Sequence, residues 1–271
     1  MSNAAIIIPA RYHSTRLPGK PLEKIAGKTM LARVGEIAAL AAKMIGGAEI
    51  LVATEDKRII DHATECGLRG VMTSSSCKTG SDRALEAISH LEHRPDFIVN
   101  LQGDAPLTPP DFVAAVLSEF QNNPDLEVVT PVVRMGWDEL DAFREQKKDT
   151  PFSGTTAILG RDNEALWFSK NIIPSIRHED ELRKSKKLSP VYRHIGIYGF
   201  RADILKQFVK LPQSRYEVLE GLEQLRMLEN NISVKATVVD YKGRPAMSGI
   251  DSPEDIARAE ELLATFGEIA A

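Results

Sequence analysis

Short runs of β-branched and apolar residues alternate with helical patterns through the first half of this chain, and that rhythm restricts the fold most. Strands are predicted at 5–8, 50–53, 70–72, 97–101 and 128–132. Their near-continuous apolar character suits parallel strands buried on both faces. Between them Met30, Leu31, Val34, Ile37, Ala38 and Ala41 recur at helical spacing. Ile59, Ile60 and Ala63 mark a second helix, and Ala84, Leu85, Ile88 and Leu91 a third. Thr108, Pro109 and Asp111 read as cap, first turn and dipole-matched acid of a helix carrying Phe112, Val113, Val116, Leu117 and Phe120. Alternation of this kind predicts an α/β fold with a doubly wound, mostly parallel sheet.

The rhythm changes near residue 135. The stretch 136–154 is polar and reads as irregular, and the charge run 177–187 reads as a solvated loop or a mobile lid. Further strands are predicted at 156–159, 165–168, 195–200 and 232–239, with a helix over 216–228. Ser252, Pro253, Glu254 and Asp255 form a capping box opening a last helix with Ile256, Ala259 and Leu263 on one face. Neither repeats nor a low-complexity linker interrupt the 271 residues, so one domain over 1–271 is expected, carrying a strand-rich inserted subdomain at approximately 136–212. A net charge of -4 argues against wholesale binding to nucleic acid or a membrane surface. The two cysteines, Cys66 and Cys77, are too few for a disulfide framework. The opening Ile6-Ile7-Ile8 run turns at Pro9, too short for a signal-peptide core or a span, so a soluble cytoplasmic protein is expected.

Three segments carry chemistry. The loop after the first strand, Pro9-Ala10-Arg11-Tyr12-His13-Ser14-Thr15-Arg16-Leu17-Pro18-Gly19-Lys20, lies where open α/β sheets bind ligands. Its cations Arg11, Arg16 and Lys20 suit a triphosphate, although the spacing is not that of a Walker A loop; the other reading is a solvated basic turn. Asn100-Leu101-Gln102-Gly103-Asp104 ends a buried run in an acid, either a Mg²⁺ ligand or the start of a turn. Asp251, before the capped helix, is either a second metal ligand or a helix-start acid.

Eight blocks, in order, resemble the CMP-Kdo synthetases (3-deoxy-manno-octulosonate cytidylyltransferases). They are IIIPARYHSTRLPGKPL, VATEDKRI, CKTGSDR, NLQGDAPL, LWFSKNIIP, YRHIGIYGF, LEGLEQLRML and GIDSPEDI. The resemblance implies a fold of the nucleotide-diphospho-sugar transferase type. It also implies transfer of CMP from CTP to a 3-deoxy-2-keto sugar acid, most simply Kdo, for bacterial surface polysaccharide. On this basis Arg11 and Lys20 bind the CTP phosphates, Pro9 and Ala10 line the cytosine pocket, and Thr79, Gly80 and Arg83 complete the nucleotide site. Gln102 lies at the nucleotide–sugar junction. Asp104 and Asp251 hold Mg²⁺, and Lys20 joins them as the catalytic set. Arg16, His194, Tyr198, Glu223 and Gln224 face the sugar. Glu223 and Gln224 share one helical turn, and His194 points with Tyr198 to one side of a strand; the other reading of His194 and Tyr198 is a core pair. Cys77 has no neighbour that lowers a thiol pKa and is given no role. A homodimer is implied as well.

Departures from the family pattern fall on the sugar side. Ala105 stands where an acid or amide is usual, Gly154-Thr155-Thr156-Ala157 replaces a Val-Lys segment, and Lys170 replaces an arginine. Ser81-Asp82 stands for the commoner Thr-Glu, as in relatives that use 8-amino-Kdo. An amino-Kdo or another keto-deoxy acid is therefore the alternative acceptor. A nucleotidyltransferase for a sugar or polyol phosphate, and a nucleotide-sensing module without catalysis, are the remaining readings.

Overall fold

The structure, a computed structural model, describes residues 3–13, 17–247 and 249–269. It divides into two units, Met1–Asp125 with Ile197–Val209 and Tyr241–Ala271, and Leu126–Gly196 with Lys210–Asp240. The chain opens with β1 (Ala4–Pro9), a 3₁₀ turn at Lys20–Leu22, β2 (Lys24–Ile25), β3 (Lys28–Thr29) and α1 (Met30–Met44). Then come β4 (Glu49–Thr54), α2 (Lys57–Glu65), β5 (Arg69–Met72), α3 (Gly80–Ile88), β6 (Phe97–Asn100) and α4 (Pro110–Asn122). The second unit begins with β7 (Val128–Gly136), α5 (Trp137–Asp149), β8 (Thr156–Leu159), β9 (Ala165–Ser169), α6 (Glu179–Ser185) and β10 (Leu188–His194). β11 (Tyr198–Arg201) and α7 (Ala202–Phe208) belong to the first unit, α8 (Arg215–Glu220), α9 (Gln224–Glu229) and β12 (Val234–Val239) to the second. α10 (Pro253–Phe266) ends the first.

In the first unit the sheet order is β5-β4-β1-β6-β11. The first four strands are parallel, as the alternating pattern requires, and β11 runs antiparallel to β6 with Tyr198 opposite Asn100. Ile6, Ile7 and Ile8 are wholly buried, since helices such as α3 cover the sheet. Parallel register brings the carboxyl ends of β1 and β6 to one edge, where the loops after Pro9 and Asn100 emerge together. The mostly parallel α/β fold expected from the sequence is thus present.

In the second unit β7 pairs antiparallel with β10 and parallel with β12, and β10-β8-β9 continue antiparallel. The backbone N–H of Ala236 donates to the carbonyl of Asn163 at 2.8 Å, so the turn before β9 reaches back to β12. This unit spans 126–196 and 210–240, where the expected insertion ran from about 136 to 212, because β7 and β12 pair across those bounds.

Several local expectations are corrected. The polar stretch 136–154 holds α5, which buries only Trp137, Leu140 and Phe143 and carries Glu139 at its start and Lys147 and Lys148 at its end. Three buried residues in thirteen give too narrow a stripe to register against so many charges. The charge run 177–187 contains α6, with acids in its first turn and bases in its last. Its Glu179 is gripped by Arg144 and Arg183, which hold its carboxyl at about 2. The helix expected over 216–228 is two helices, broken where Gly221 adopts φ 63°. The strand expected at 195–200 is likewise two: β10 ends at His194, β11 starts at Tyr198, and so these two side chains do not share one strand face. Pro109 rather than Thr108 caps α4.

Candidate active site

The loop after β1 starts as a continuation of the sheet, the Ala10 N–H donating to the Ala53 carbonyl at 2.9 Å. It returns to the edge where the Gly19 N–H donates to the Tyr12 carbonyl at 2.9 Å. Gly19 sits at φ 72° with the Tyr12 ring 3.3 Å from where a Cβ would stand, so both conformation and space call for glycine. Lys20 follows at once, opening the 3₁₀ turn, and its side chain is only 13% exposed. Its Nζ donates to Asp104 Oδ2 at 2.9 Å, the Ile250 carbonyl at 2.9 Å and Asp251 Oδ1 at 3.1 Å.

Asp104 reaches that point because the loop after β6 passes against the loop after β1. A Cβ on Gly103 would lie 2.4 Å from the Pro9 carbonyl oxygen, a distance no side chain tolerates. Asp251 arrives from the far end of the chain. The Ile250 N–H donates to the Asp104 carbonyl at 2.8 Å, and Asp255 Oδ2 accepts from the Asp251 N–H at 2.9 Å. That Asp255 carboxylate closes the predicted capping box of α10 with Ser252. The helix start that orients Asp251 is therefore fixed locally.

The third wall is the start of α3. Thr79 Oγ1 accepts from the Asp82 N–H at 3.1 Å and Asp82 Oδ2 accepts from the Thr79 N–H at 2.9 Å, a capping box the sequence reading missed in its TGSD segment. Arg83, one turn on, is 1% exposed and pairs with Glu55 at 2.9 Å and Thr73 Oγ1 at 2.5 Å. Glu55 Oε1 also accepts from the Tyr12 N–H at 3.3 Å, so the Arg83 pair supports the basic loop. Breaking such a buried pair on one side costs far more than the pair itself contributes.

Pro9, Ala10, Arg11, Lys20, Thr79, Gly80, Arg83, Gln102, Asp104 and Asp251 line one cavity of about 360 Å³, which lies wholly within the first unit. His13, Pro21 and Gly103 line it too and were not singled out from the sequence. Cations and the amino end of α3 give the cavity an anion-binding character. In the same cavity Asp104 and Asp251 converge on a point about 3 Å from an oxygen of each, which is where the Lys20 ammonium stands. Among the described residues no group of three or more His, Cys, Asp or Glu could hold a metal. Two carboxylates with room for phosphate and water suit Mg²⁺, which keeps much of its shell from substrate and solvent.

The proposed sugar residues are divided. Arg16 lies outside the described residues. Tyr198 is in the first unit, half-buried at the start of β11. His194, Glu223 and Gln224 are in the second. His194 is buried with Nε2 2.9 Å from Thr130 Oγ1 and its ring edge-on to Phe168 at 5.0 Å, and burial lowers its pKa from 6.5 to about 3. It is a neutral imidazole packed in the core. Glu223 and Gln224 start α9, with Gln224 only 2% exposed. Lys170 has a depressed pKa through burial, with the Glu220 carboxylate opposing the shift. Cys77 is pushed up to about 11 by burial and a hydrogen bond to Glu86, so it is a poor nucleophile.

This fold and site, with a basic loop after the first strand facing two acids, are those of a cytidylyltransferase. The model of that family, described as Cytidylyltransferase, matches residues 5–236. A 3-deoxy-manno-octulosonate cytidylyltransferase of Maricaulis maris is 42% identical over 97% of this chain and 98% of its own length. Another from Chlamydia trachomatis serovar L2 is 37% identical over 95% and 92%. The solved structure of CMP:2-keto-3-deoxy-manno-octonic acid synthetase complexed with CTP is 32% identical, with TM-score 0.81 over 97% of this chain and 99% of that one. The chain belongs to the 3-deoxy-manno-octulosonate cytidylyltransferase family.

Proposed function

We propose that this enzyme couples CTP to Kdo, giving CMP-Kdo and pyrophosphate. The observation that carries the reading is the first-unit cavity in which Lys20 meets Asp104 and Asp251 beside the α3 amino end. The anomeric hydroxyl of the sugar attacks the α-phosphorus of CTP in line; a new P–O bond forms as the bond to pyrophosphate breaks. No protein nucleophile is needed, so positioning and charge stabilisation carry the step. Pro9 and Ala10 bound the base, Thr79, Gly80 and Arg83 the rest of the nucleotide, and Arg11 and Lys20 take the phosphates. Gln102 stands beside Asp104, where nucleotide and sugar meet. Asp104 and Asp251 would hold Mg²⁺, which when bound offsets phosphate charge and lowers the pKa of the attacking hydroxyl. Arg16, Tyr198, Glu223 and Gln224 are assigned to the sugar. His194 is assigned there too, as a neutral hydrogen-bonding group.

The enzyme is further assigned as a homodimer acting in the cytoplasm. The exposed Leu166, Tyr216, Val218 and Leu219 of the second unit supply apolar surface for an isologous contact. Among the described residues no helix is long and apolar enough to cross a membrane.

Pyrophosphate release tests the reaction. CTP with Kdo, 8-amino-Kdo and a nine-carbon keto-deoxy acid should give turnover with at least the first, and Asp104→Asn or Asp251→Asn should remove most of it. Release only with a sugar or polyol phosphate would overturn the reading.

A further inference from the structure

The Lys20 ammonium has three N–H donors and no acceptor. Asp104 Oδ2, the Ile250 carbonyl and Asp251 Oδ1 all accept from it, at 2.9, 2.9 and 3.1 Å. These are as many acceptors as it has protons, so in this arrangement Lys20 has none left for a phosphate. The same contact places a positive charge where a divalent cation shared by Asp104 and Asp251 would sit. The phosphate-binding lysine and the two acids thus neutralise each other, inside the cavity that takes the nucleotide.

We infer that Lys20 is an internal stand-in for the metal, which a triphosphate must draw away before Asp104 and Asp251 can take up a divalent cation. This inference rests on the assignment of those two acids as metal ligands. Lys20 is a flexible four-carbon arm with a compact charge, so it can exchange one set of oxygens for another without moving the backbone. The acids keep their positions during the exchange, because backbone bonds hold them: Ile250 to Asp104, and Asp251 to the Asp255 carboxylate. The Ile250 carbonyl, which is paired with Lys20, is released in the same movement. Metal and triphosphate then bind with positive coupling. Each removes one partner of the Lys20 contact and leaves the other available, and by linkage the effect is reciprocal. The nucleotide-free enzyme holds its acid pair together without a metal and takes up the cation with its substrate.

The test is Mn²⁺ binding to the nucleotide-free enzyme, followed by the electron paramagnetic resonance of the free ion. Wild type is compared with Lys20→Met, Lys20→Gln, Asp104→Asn and Lys20→Met/Asp104→Asn, each shown to be folded by a cooperative thermal transition. Lys20→Gln keeps an uncharged donor beside the acids should Lys20→Met fail to fold. Removing the internal cation should tighten Mn²⁺ binding by about tenfold or more, within the usual range of coupling between sites. Asp104→Asn should abolish that gain. Unchanged Mn²⁺ affinity in the folded Lys20 variants would overturn the stand-in role, while the metal assignment survives if Asp104→Asn still weakens Mn²⁺. A gain that persists in the double variant would place the ion elsewhere, and both readings would fall.

Discussion

Acidification from pH 7 to pH 5 tests whether His194 stays neutral in the folded enzyme. Burial is the main cause of its depressed pKa, and the nearby Lys170 charge adds to it. Nε2 is engaged by Thr130 Oγ1 at 2.9 Å, and the ring lies against Phe168. An unfolded chain offers the same imidazole a pKa near 6.5, whereas the folded protein holds it at about 3. Between those values the unfolded state binds the extra proton, so stability from this group is full above about 6.5 and declines as pH falls. From pH 7 to 5 the loss amounts to about 2 kcal/mol, at 1.36 kcal/mol per unit once the pH lies below the unfolded pKa. Carboxylates elsewhere also change protonation, so the comparison must be with His194→Gln, which fills the place without titrating. Urea unfolding at the two pH values should show wild type losing about 2 kcal/mol more than the variant. Equal losses would show that His194 is solvated or charged in the folded state. The neutral role assigned to it beside the sugar would then fail.

Three further substitutions follow from the geometry. Lys20→Ala should weaken CTP more than CMP in a calorimetric titration, since only the triphosphate reaches the outer-phosphate position proposed for Lys20; equal weakening would mean a misread loop. Gly103→Ala drives a Cβ into the Pro9 carbonyl and should cost about 1–3 kcal/mol in urea unfolding, with weaker CTP binding as the loops after β1 and β6 separate. Arg226→Ala strands the buried Glu217, which accepts from Arg226 at 2.5 and 2.8 Å, and should cost about 3–5 kcal/mol by the same measurement.

The parallel half of the fold was legible because its strands are buried on both faces and its helices carry wide apolar stripes, so composition and period agree. The second unit was harder to read, since there burial and charge are interleaved. α5 hides three buried side chains among charges, and β10 contains Pro190 and Arg193 yet buries Ser189, Val191 and His194. At the site, Lys20, Asp104 and Asp251 could be picked out through their motifs, but their mutual contact could not. That contact depends on a glycine at 103 allowing two loops to touch and on a hydrogen bond from Ile250, and neither leaves a periodic trace. The support of Arg83 by Glu55 was equally hidden, although both residues lay in matched blocks.

The position of the acid pair is set by apolar packing as much as by its own charges. Leu107, three residues after Asp104, and Ile250, immediately before Asp251, belong to one buried cluster with Ile25, Met30, Ala259 and Leu263. That cluster joins the start of α1 to α10, and Arg33 adds a polar tie by donating to the Ile25 carbonyl at 3.0 Å and to Glu268 at 2.6 Å. Two like charges brought together repel, and the structure offsets this with the Lys20 ammonium and with backbone that cannot retreat. The hydrophobic cluster supplies the second of these. Its burial is lost if either loop withdraws, so separation of the carboxylates is opposed by apolar surface whose stabilisation is not screened by salt as a charge pair is. On the proposed exchange of Lys20 to a phosphate, the acids would therefore stay together. The cluster also explains why the carboxyl-terminal helix belongs to the site although none of its own side chains lines the cavity: α10 is the lever that keeps Ile250, and with it Asp251, against Asp104.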